Sequence, residues 1–221
     1  MDPLVTINES LSKKEIPEDI YKKVSDSVKK VNDVIIQIEK ASNIKYPEWY
    51  VYSKAIVMKA PVGGSSIIYS RFFPFSYENV LYTLVQVTPP LVLYASKDTL
   101  LAVMAHEFLH YVNFIANLKN FSITSEEEMT SVFESVFKDE AQLYDEEKVF
   151  KKSKKIKRLL KEKFSGGLND EALNKKTLAR WFKKGLPVDY ISPEGNMSRI
   201  SVISILNFKP EETLKRFLNW T

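Results

Sequence analysis

An apolar stretch interrupted by one polar cluster dominates the middle of this 221-residue chain. The run from Thr99 to Ala116 predicts a helix of more than four turns, and either Ser96 or Asp98 can cap its start. The polar cluster inside it is His106-Glu107-Phe108-Leu109-His110, which contains both histidines of the protein. Two imidazoles and a carboxylate are costly to bury in an apolar helix that offers them no partner. We therefore expect this cluster to hold a ligand.

The spacing of the two histidines indicates which ligand this is. Residues four apart on a helix lie one turn apart on the same face, so His106 and His110 can direct their rings at one ion. Glu107 follows the first histidine, where it can reach a water on the metal without being a ligand. This is the HExxH pattern, which predicts a zinc ion and a general base.

The composition restricts the remaining ligand. The chain has no cysteine and no further histidine, so neither a thiolate nor a third imidazole is available. Catalytic zinc sites usually have three protein ligands and a water. We therefore expect the third ligand to be a carboxylate from Asp or Glu.

Length and apolar content suit one ordinary domain, or a domain with a small appendage. Residues 1–10 lack the basic and apolar regions of a signal peptide, and no segment reaches the ~20 apolar residues of a membrane span. We expect a soluble, cytoplasmic protein with no membrane partner.

The order of elements predicts the α+β class. An amphipathic helix is expected from Glu18 to Ala41, because Val and Ile recur there at helical spacing. Runs of Val, Ile, Tyr and Phe broken by Pro and Gly then predict an antiparallel sheet. We expect its strands near 49–59, 66–73, 79–87 and 91–94, followed by the motif helix at about 97–118.

A second long helix is expected after the motif helix. Ser125-Glu126-Glu127-Glu128 has the form of a capping box and opens a helix that runs towards Lys148. Two helices joined by a short turn pack antiparallel, so this one should return past the motif and supply the third ligand. Further elements are expected near 148–163, 169–184, 197–206 and 210–219.

At this point the sequence resembles the gluzincins, the group that includes thermolysin and the zinc aminopeptidases, in which a Glu from a following helix completes the HExxH site. In those families the ligand Glu is typically followed by a small residue three positions on, a short polar residue four on and an aromatic six on. Glu127 fits this frame, with Thr130, Ser131 and Phe133 in place. The resemblance therefore implies Glu127 as third ligand, with Thr130 and Ser131 supporting it.

Two other glutamates stay open as third ligand. Glu134 lies at a distance from the turn that suits antiparallel packing better, although Phe137 and Lys138 would then stand beside the metal. Glu128 would put Val132 at the short polar position.

The resemblance implies a zincin-like catalytic domain over residues 1–148, with a mainly antiparallel sheet. Residues 149–221 would form a basic, mostly helical region packed on the same domain. The implied activity is hydrolysis of a peptide or protein substrate by a zinc-activated water, with Glu107 as general base. An extended substrate could add to an edge strand between Asn79 and Tyr94.

Families of this type often add a Tyr or a His to the site that holds the substrate's oxyanion. No histidine remains, so Tyr144, Tyr190 and Tyr111 are the candidates.

A strongly basic segment follows the ligand helix. Residues 145–184 contain 14 Lys or Arg against 6 Asp or Glu, and many of these cations lie between Lys151 and Lys163. Such a run could bind phosphate backbones, yet Lys-rich amphipathic helices are usually solvated faces. The alternative function is thus a nucleic-acid-associated or regulatory protein with a zincin domain, partner-specific or catalytically silent.

Overall fold

Helix α4, Lys97–Asn120, is the central element of the fold. In the computed structural model, the residues described are 1–59, 64–120, 143–164, 167–191 and 201–218. Ser96 caps α4, because its hydroxyl accepts the backbone N–H of Thr99 at 3.0 Å. Of the described helices, only the segment Lys97–Leu118 is long and apolar enough to cross a membrane. Its most apolar window is 89% buried inside the protein, as in the core helix of a soluble protein.

Two helices precede the strands, α1 at Val5–Ser12 and α2 at Glu18–Ser42. The predicted amphipathic helix is confirmed as α2, which buries Val24, Val31 and Ile38 and packs against α4. It ends where Asn43 takes a left-handed conformation (φ 58°), which is a common way for a helix to stop.

In the part of the chain that the structure describes, six strands form two three-stranded sheets. Their bounds are β1 Glu48–Val51, β2 Ala55–Lys59, β3 Ser65–Ile68, β4 Ser70–Tyr77, β5 Val80–Val87 and β6 Val188–Ile191. The first sheet has the order β1-β5-β4 and the second β3-β2-β6. Each contains one antiparallel and one parallel pair. The α+β class is confirmed, but the sheets are mixed rather than mainly antiparallel, because β1 and β6 join strands distant in the chain.

The predicted strand at 91–94 is wrong, since Pro89–Tyr94 forms helix α3. Proline is favourable in the first turn of a helix, because a backbone N–H at that position would have no hydrogen-bond acceptor within the helix. The strand predicted at 49–59 is divided into β1 and β2, which belong to different sheets. Strands β4 and β5 form a hairpin whose turn residues Glu78 and Asn79 both have positive φ, as a two-residue type I′ turn requires.

The C-terminal part is helical, as expected, but more divided. Its helices are α5 Glu146–Val149, α6 Lys154–Lys163, α7 Glu171–Arg180, α8 Val202–Leu206 and α9 Glu212–Phe217, with a 3₁₀ turn at Phe182–Lys184. The basic helix expected at 148–163 is interrupted before Ser153, which caps α6 by accepting the N–H of Ile156. Most of the helix predicted from Ser125 lies outside the described residues. Its expected continuation to Lys148 is interrupted, because residues 143–145 are not helical and Asp145 caps α5 by accepting the N–H of Glu147.

One hydrophobic core includes residues from before and after the domain boundary expected at residue 148. Leu101 and Phe108 of α4 belong to the same buried cluster as Leu160 of α6 and Trp181. Helix α6 packs directly on α4. The C-terminal helices therefore help to bury the helix that bears the motif.

Candidate metal centre

His106 and His110 face each other on the buried side of α4. Their Nε2 atoms are 3.1 Å apart, and their ring planes are nearly perpendicular at 82°. Two nitrogens on a tetrahedral zinc with Zn–N bonds of 2.0–2.1 Å lie about 3.3 Å apart. Both side chains are mostly buried, with 5% and 7% exposure. The two imidazoles therefore fit a shared metal ion.

The third ligand remains a prediction. Within residues 1–59, 64–120, 143–164, 167–191 and 201–218, no group of three or more His, Cys, Asp or Glu side chains could hold a metal ion. The segment 121–142 is outside the described residues, and it contains all the sequence candidates for completing the site. These are Glu127, Glu128, Glu134, Thr130 and Ser131.

Glu107 is buried beside His106, and its carboxylate is held from another element. The hydroxyl of Ser70 donates a hydrogen bond of 2.6 Å to Glu107 Oε1. Ser70 is the first residue of β4, 37 positions earlier in the chain. Sequence reasoning missed this residue because no motif marks it. The contact exists only through tertiary packing.

The residue before Ser70 is firmly anchored. The Tyr69 hydroxyl lies 2.8 Å from Asn174 Oδ1 and 3.0 Å from Thr177 Oγ1 on α7. Its carbonyl accepts hydrogen bonds from both the backbone N–H and the hydroxyl of Thr88. Burial raises the pKa of Tyr69 to about 12, so the phenol stays neutral. The start of β4 is thus fixed relative to α7.

His106 is covered on one face by Phe164. The two rings are stacked, with centroids 4.0 Å apart and planes 5° from parallel. Phe164 ends α6 and forms an isolated antiparallel bridge with Leu168. A residue from the C-terminal helices therefore packs directly against a predicted ligand.

Asp170 connects three helices close to this stack. Its side chain accepts hydrogen bonds from the Thr99 hydroxyl at 2.6 Å, the Lys163 ammonium at 3.0 Å and the backbone N–H of Leu173 at 2.9 Å. Burial alone would raise the pKa of Asp170, but these hydrogen bonds outweigh it and hold the pKa below its usual value. This carboxylate ties the start of α4 to the end of α6 and the start of α7.

Tyr46 supports the motif from the opposite side. Its hydroxyl donates to the carbonyl of Met104 at 2.9 Å, and its ring stacks on Phe108. Burial raises the pKa of Tyr46 well above its usual value, and the charge of Glu107 raises it further. A neutral phenol therefore lies close to the carboxylate.

The motif opens into a cleft of about 950 Å³. Its lining includes His106, Glu107, Ser70 and Tyr190, residues of strands β2 and β3, and Phe164 with Gly167, Leu168, Asn169 and Asn174. Among the described lining residues, Glu107 is the one Asp or Glu, and none is Lys or Arg. Apart from the His106 imidazole, the other side chains are apolar, hydroxyl or amide groups.

The three tyrosine candidates lie in different places. Tyr190 is on β6 and lines the cleft, with 60% of its surface exposed and Lys59 Nζ 5.1 Å from its ring centroid. Tyr144 does not line the cleft, and its ring packs on Phe217 instead. Tyr111 is buried in the core, which raises the pKa of its phenol. Tyr190 is therefore the candidate that a substrate in the cleft can meet.

Ion pairs neutralise much of the basic helix α6. Lys155 pairs with Asp98 at 2.7 Å, and Lys157 and Lys161 both pair with Glu147. Exposed pairs of this kind contribute little stability, but they reduce the positive charge that a phosphate backbone would meet.

Comparisons of the chain with models of protein families, with curated proteins and with solved structures found no match. Its function is therefore inferred from the residues of the cleft.

Proposed function

We propose that this protein is a zinc-dependent hydrolase. More narrowly, we propose a cytoplasmic, gluzincin-like metallopeptidase with a zincin-like fold. The observation that supports it most is the 3.1 Å separation of the His106 and His110 Nε2 atoms, beside a carboxylate that lines an open cleft. Without a metal, the same contact is a hydrogen bond between the two rings, so the case for zinc rests on this pair together with Glu107 and the cleft.

The proposed ligands are His106, His110 and Glu127, with Glu134 and Glu128 as alternatives for the third position. Bound zinc would supply a Lewis acid and lower the pKa of a water towards ~7. Glu107 would take the proton from the attacking water and pass it to the leaving amine. The Tyr190 hydroxyl would donate a hydrogen bond to the substrate's carbonyl oxygen as negative charge develops there.

The proposed substrate is an extended peptide along β3. Strand β5 pairs with β4 along its whole length and with β1 at Leu84–Val87. Its half that pairs on one side, Val80–Thr83, does not line the cleft, and residues 89–94 are helical. Strand β3 lies at the end of its sheet, pairs with β2 alone among the described strands, and lines the cleft. A free strand edge can bind a peptide through backbone hydrogen bonds. Because Glu107 is the one Asp, Glu, Lys or Arg among the described lining residues, the cleft favours substrates with uncharged side chains near the scissile bond.

The decisive experiment is hydrolysis of a peptide library by the zinc-loaded protein, followed by mass spectrometry. We expect cleavage that a chelator abolishes and zinc restores. Glu107→Gln is the matched control, because it keeps the size of the side chain and removes the base. Equal cleavage by the wild type and Glu107→Gln would contradict Glu107 as the base, and cleavage that His106→Ala retains in full would show that a contaminating protease is responsible.

The nucleic-acid-associated alternative has less support, since the ion pairs of α6 leave fewer cations for phosphates. Lys151, Lys152 and Lys154 nevertheless form no ion pair within the described part of the chain. Replacing these three and Lys155 by Gln tests this alternative. Salt-dependent DNA binding by the wild type that the substitutions abolish would favour it over the peptidase.

A further inference from the structure

We propose that Ser70 is a positioning residue that holds the Glu107 carboxylate in the orientation needed for proton transfer. This inference rests on the proposed hydrolase function. It adds Ser70, a residue of β4 outside the motif, to the residues that support catalysis. The hydrogen bond between Ser70 Oγ and Glu107 Oε1, 2.6 Å long, carries the inference.

The length of this bond indicates a strong interaction. Hydrogen bonds from a hydroxyl to a carboxylate measure about 2.5–2.7 Å and are roughly twice as strong as bonds between neutral groups. A general base must come within about 2.6–3.2 Å of the proton that it takes. A Glu side chain turns about three bonds, so a fixed helix backbone does not by itself aim its carboxylate. Ser70 supplies one restraint on the carboxylate from outside α4.

Ser70 is well placed to act as a restraint because its own backbone is held. It pairs with Val87 in the β4–β5 ladder. Its neighbour Tyr69 is tied to α7 through Asn174 and Thr177 and to Thr88 through its carbonyl. The donor is thus fixed by the sheet and by α7, two elements that do not include the motif helix. Glu107 is oriented by the rest of the fold rather than by α4 alone.

Ser70 touches the base and is not a predicted metal ligand, which gives a specific kinetic expectation. Removing the hydroxyl should leave zinc binding and substrate binding in place. It should lower the fraction of time during which the carboxylate points at the water. We therefore expect removal of the hydroxyl to lower kcat and to leave KM and zinc affinity unchanged.

The first test compares Ser70→Ala with Ser70→Thr, which keeps a hydroxyl. We expect Ser70→Ala to lower kcat by about 10–100-fold, with KM and zinc affinity within twofold, and Ser70→Thr to recover most of the loss. Ser76→Ala is the matched control, because Ser76 lies on the same strand as Ser70, does not line the cleft, and is hydrogen-bonded to Ser204 of α8. An unchanged kcat in Ser70→Ala, or an equal loss in Ser76→Ala or Ser70→Thr, would overturn the proposal.

The second test needs no activity. A double-mutant cycle of Ser70→Ala and Glu107→Ala is measured by urea denaturation of the metal-free protein. If the bond forms, the shifts in denaturation midpoint of the two single variants will not add up to that of the double variant. Additive shifts overturn the inference. A wild-type protein that hydrolyses no peptide overturns the proposed function instead, and the cycle still decides whether Ser70 holds Glu107.

Discussion

Phe164 lies flat against His106, with 4.0 Å between the ring centroids. This stack restricts the rotation of the imidazole and keeps its Nε2 directed at His110. Because Phe164 comes from the end of α6, the C-terminal helices contribute to the geometry of the predicted metal centre.

Removing this stack should weaken zinc binding. We expect Phe164→Ala to lower zinc affinity about 10-fold, because groups that orient a metal ligand typically contribute 10–100-fold to affinity. It should also reduce the free energy of unfolding by about 1–2 kcal/mol. Competition with a chromogenic chelator measures the affinity. Phe75→Ala is the control, since Phe75 stacks on Tyr82 away from the cleft, and a similar loss of affinity there would contradict a role for the His106 stack.

Glu107→Gln should separate metal binding from catalysis. The amide keeps the shape of the side chain but cannot accept the proton, so we expect kcat to fall by at least about 10²–10⁴-fold. Zinc content, measured by atomic emission, should be that of the wild type. His106→Ala should instead lose the zinc. A fully active Glu107→Gln protein would rule out the proposed base.

Single substitutions should identify the third ligand among the glutamates of the segment 121–142. We expect Glu127→Gln to lower zinc affinity by orders of magnitude, because removing a direct ligand leaves two of the usual three protein ligands. Glu128→Gln and Glu134→Gln should have small effects, and Glu126→Gln serves as the neutral control. A large loss in Glu134→Gln with an unaffected Glu127→Gln would transfer the assignment to Glu134.

The Tyr190 hydroxyl should matter for the rate of reaction. Loss of one hydrogen-bond donor to a developing oxyanion costs about 10²–10³-fold in kcat, and we expect an effect of this size in Tyr190→Phe. Tyr144→Phe is the comparison, because its ring packs on Phe217 rather than in the cleft. Equal kcat values for Tyr190→Phe and the wild type would remove Tyr190 from the mechanism.

Asp170 should contribute stability that depends on pH. Its folded-state pKa is depressed below the ordinary 3.8, so the contribution is present above about pH 4 and is lost as the pH falls through the folded-state pKa. We expect Asp170→Ala to lower the free energy of unfolding by about 1–3 kcal/mol at pH 7.

Urea denaturation at pH 7 and at low pH measures this contribution. The difference between the wild type and Asp170→Ala should shrink on acidification. Glu171→Gln is the control, since Glu171 is an exposed carboxylate in the same helical turn that pairs with Lys175 at the surface. A difference that is independent of pH would contradict the charged network around Asp170.

Local patterns in the sequence correctly predicted the elements whose residues show a regular apolar spacing or a cap. Helices α2 and α4 follow from their runs of apolar residues, and the cap of α4 follows as far as the choice between Ser96 and Asp98, which the structure decides for Ser96. His106 and His110 lie on the same face of α4 because they are four residues apart on one helix. In each case the residues involved are neighbours in the chain, so helix geometry alone relates them.

Tertiary structure decided the contacts between distant residues. Ser70 meets Glu107 across 37 positions, and Phe164 meets His106 from another helix. Likewise, the edge strand beside the cleft is β3 rather than one nearer to α4. Such contacts depend on how whole elements pack, and packing minimises the exposed apolar surface of the entire chain rather than of any single segment. The sequence by itself determined which residues are proposed as metal ligands, and only the folded chain determined which side chains pack against them.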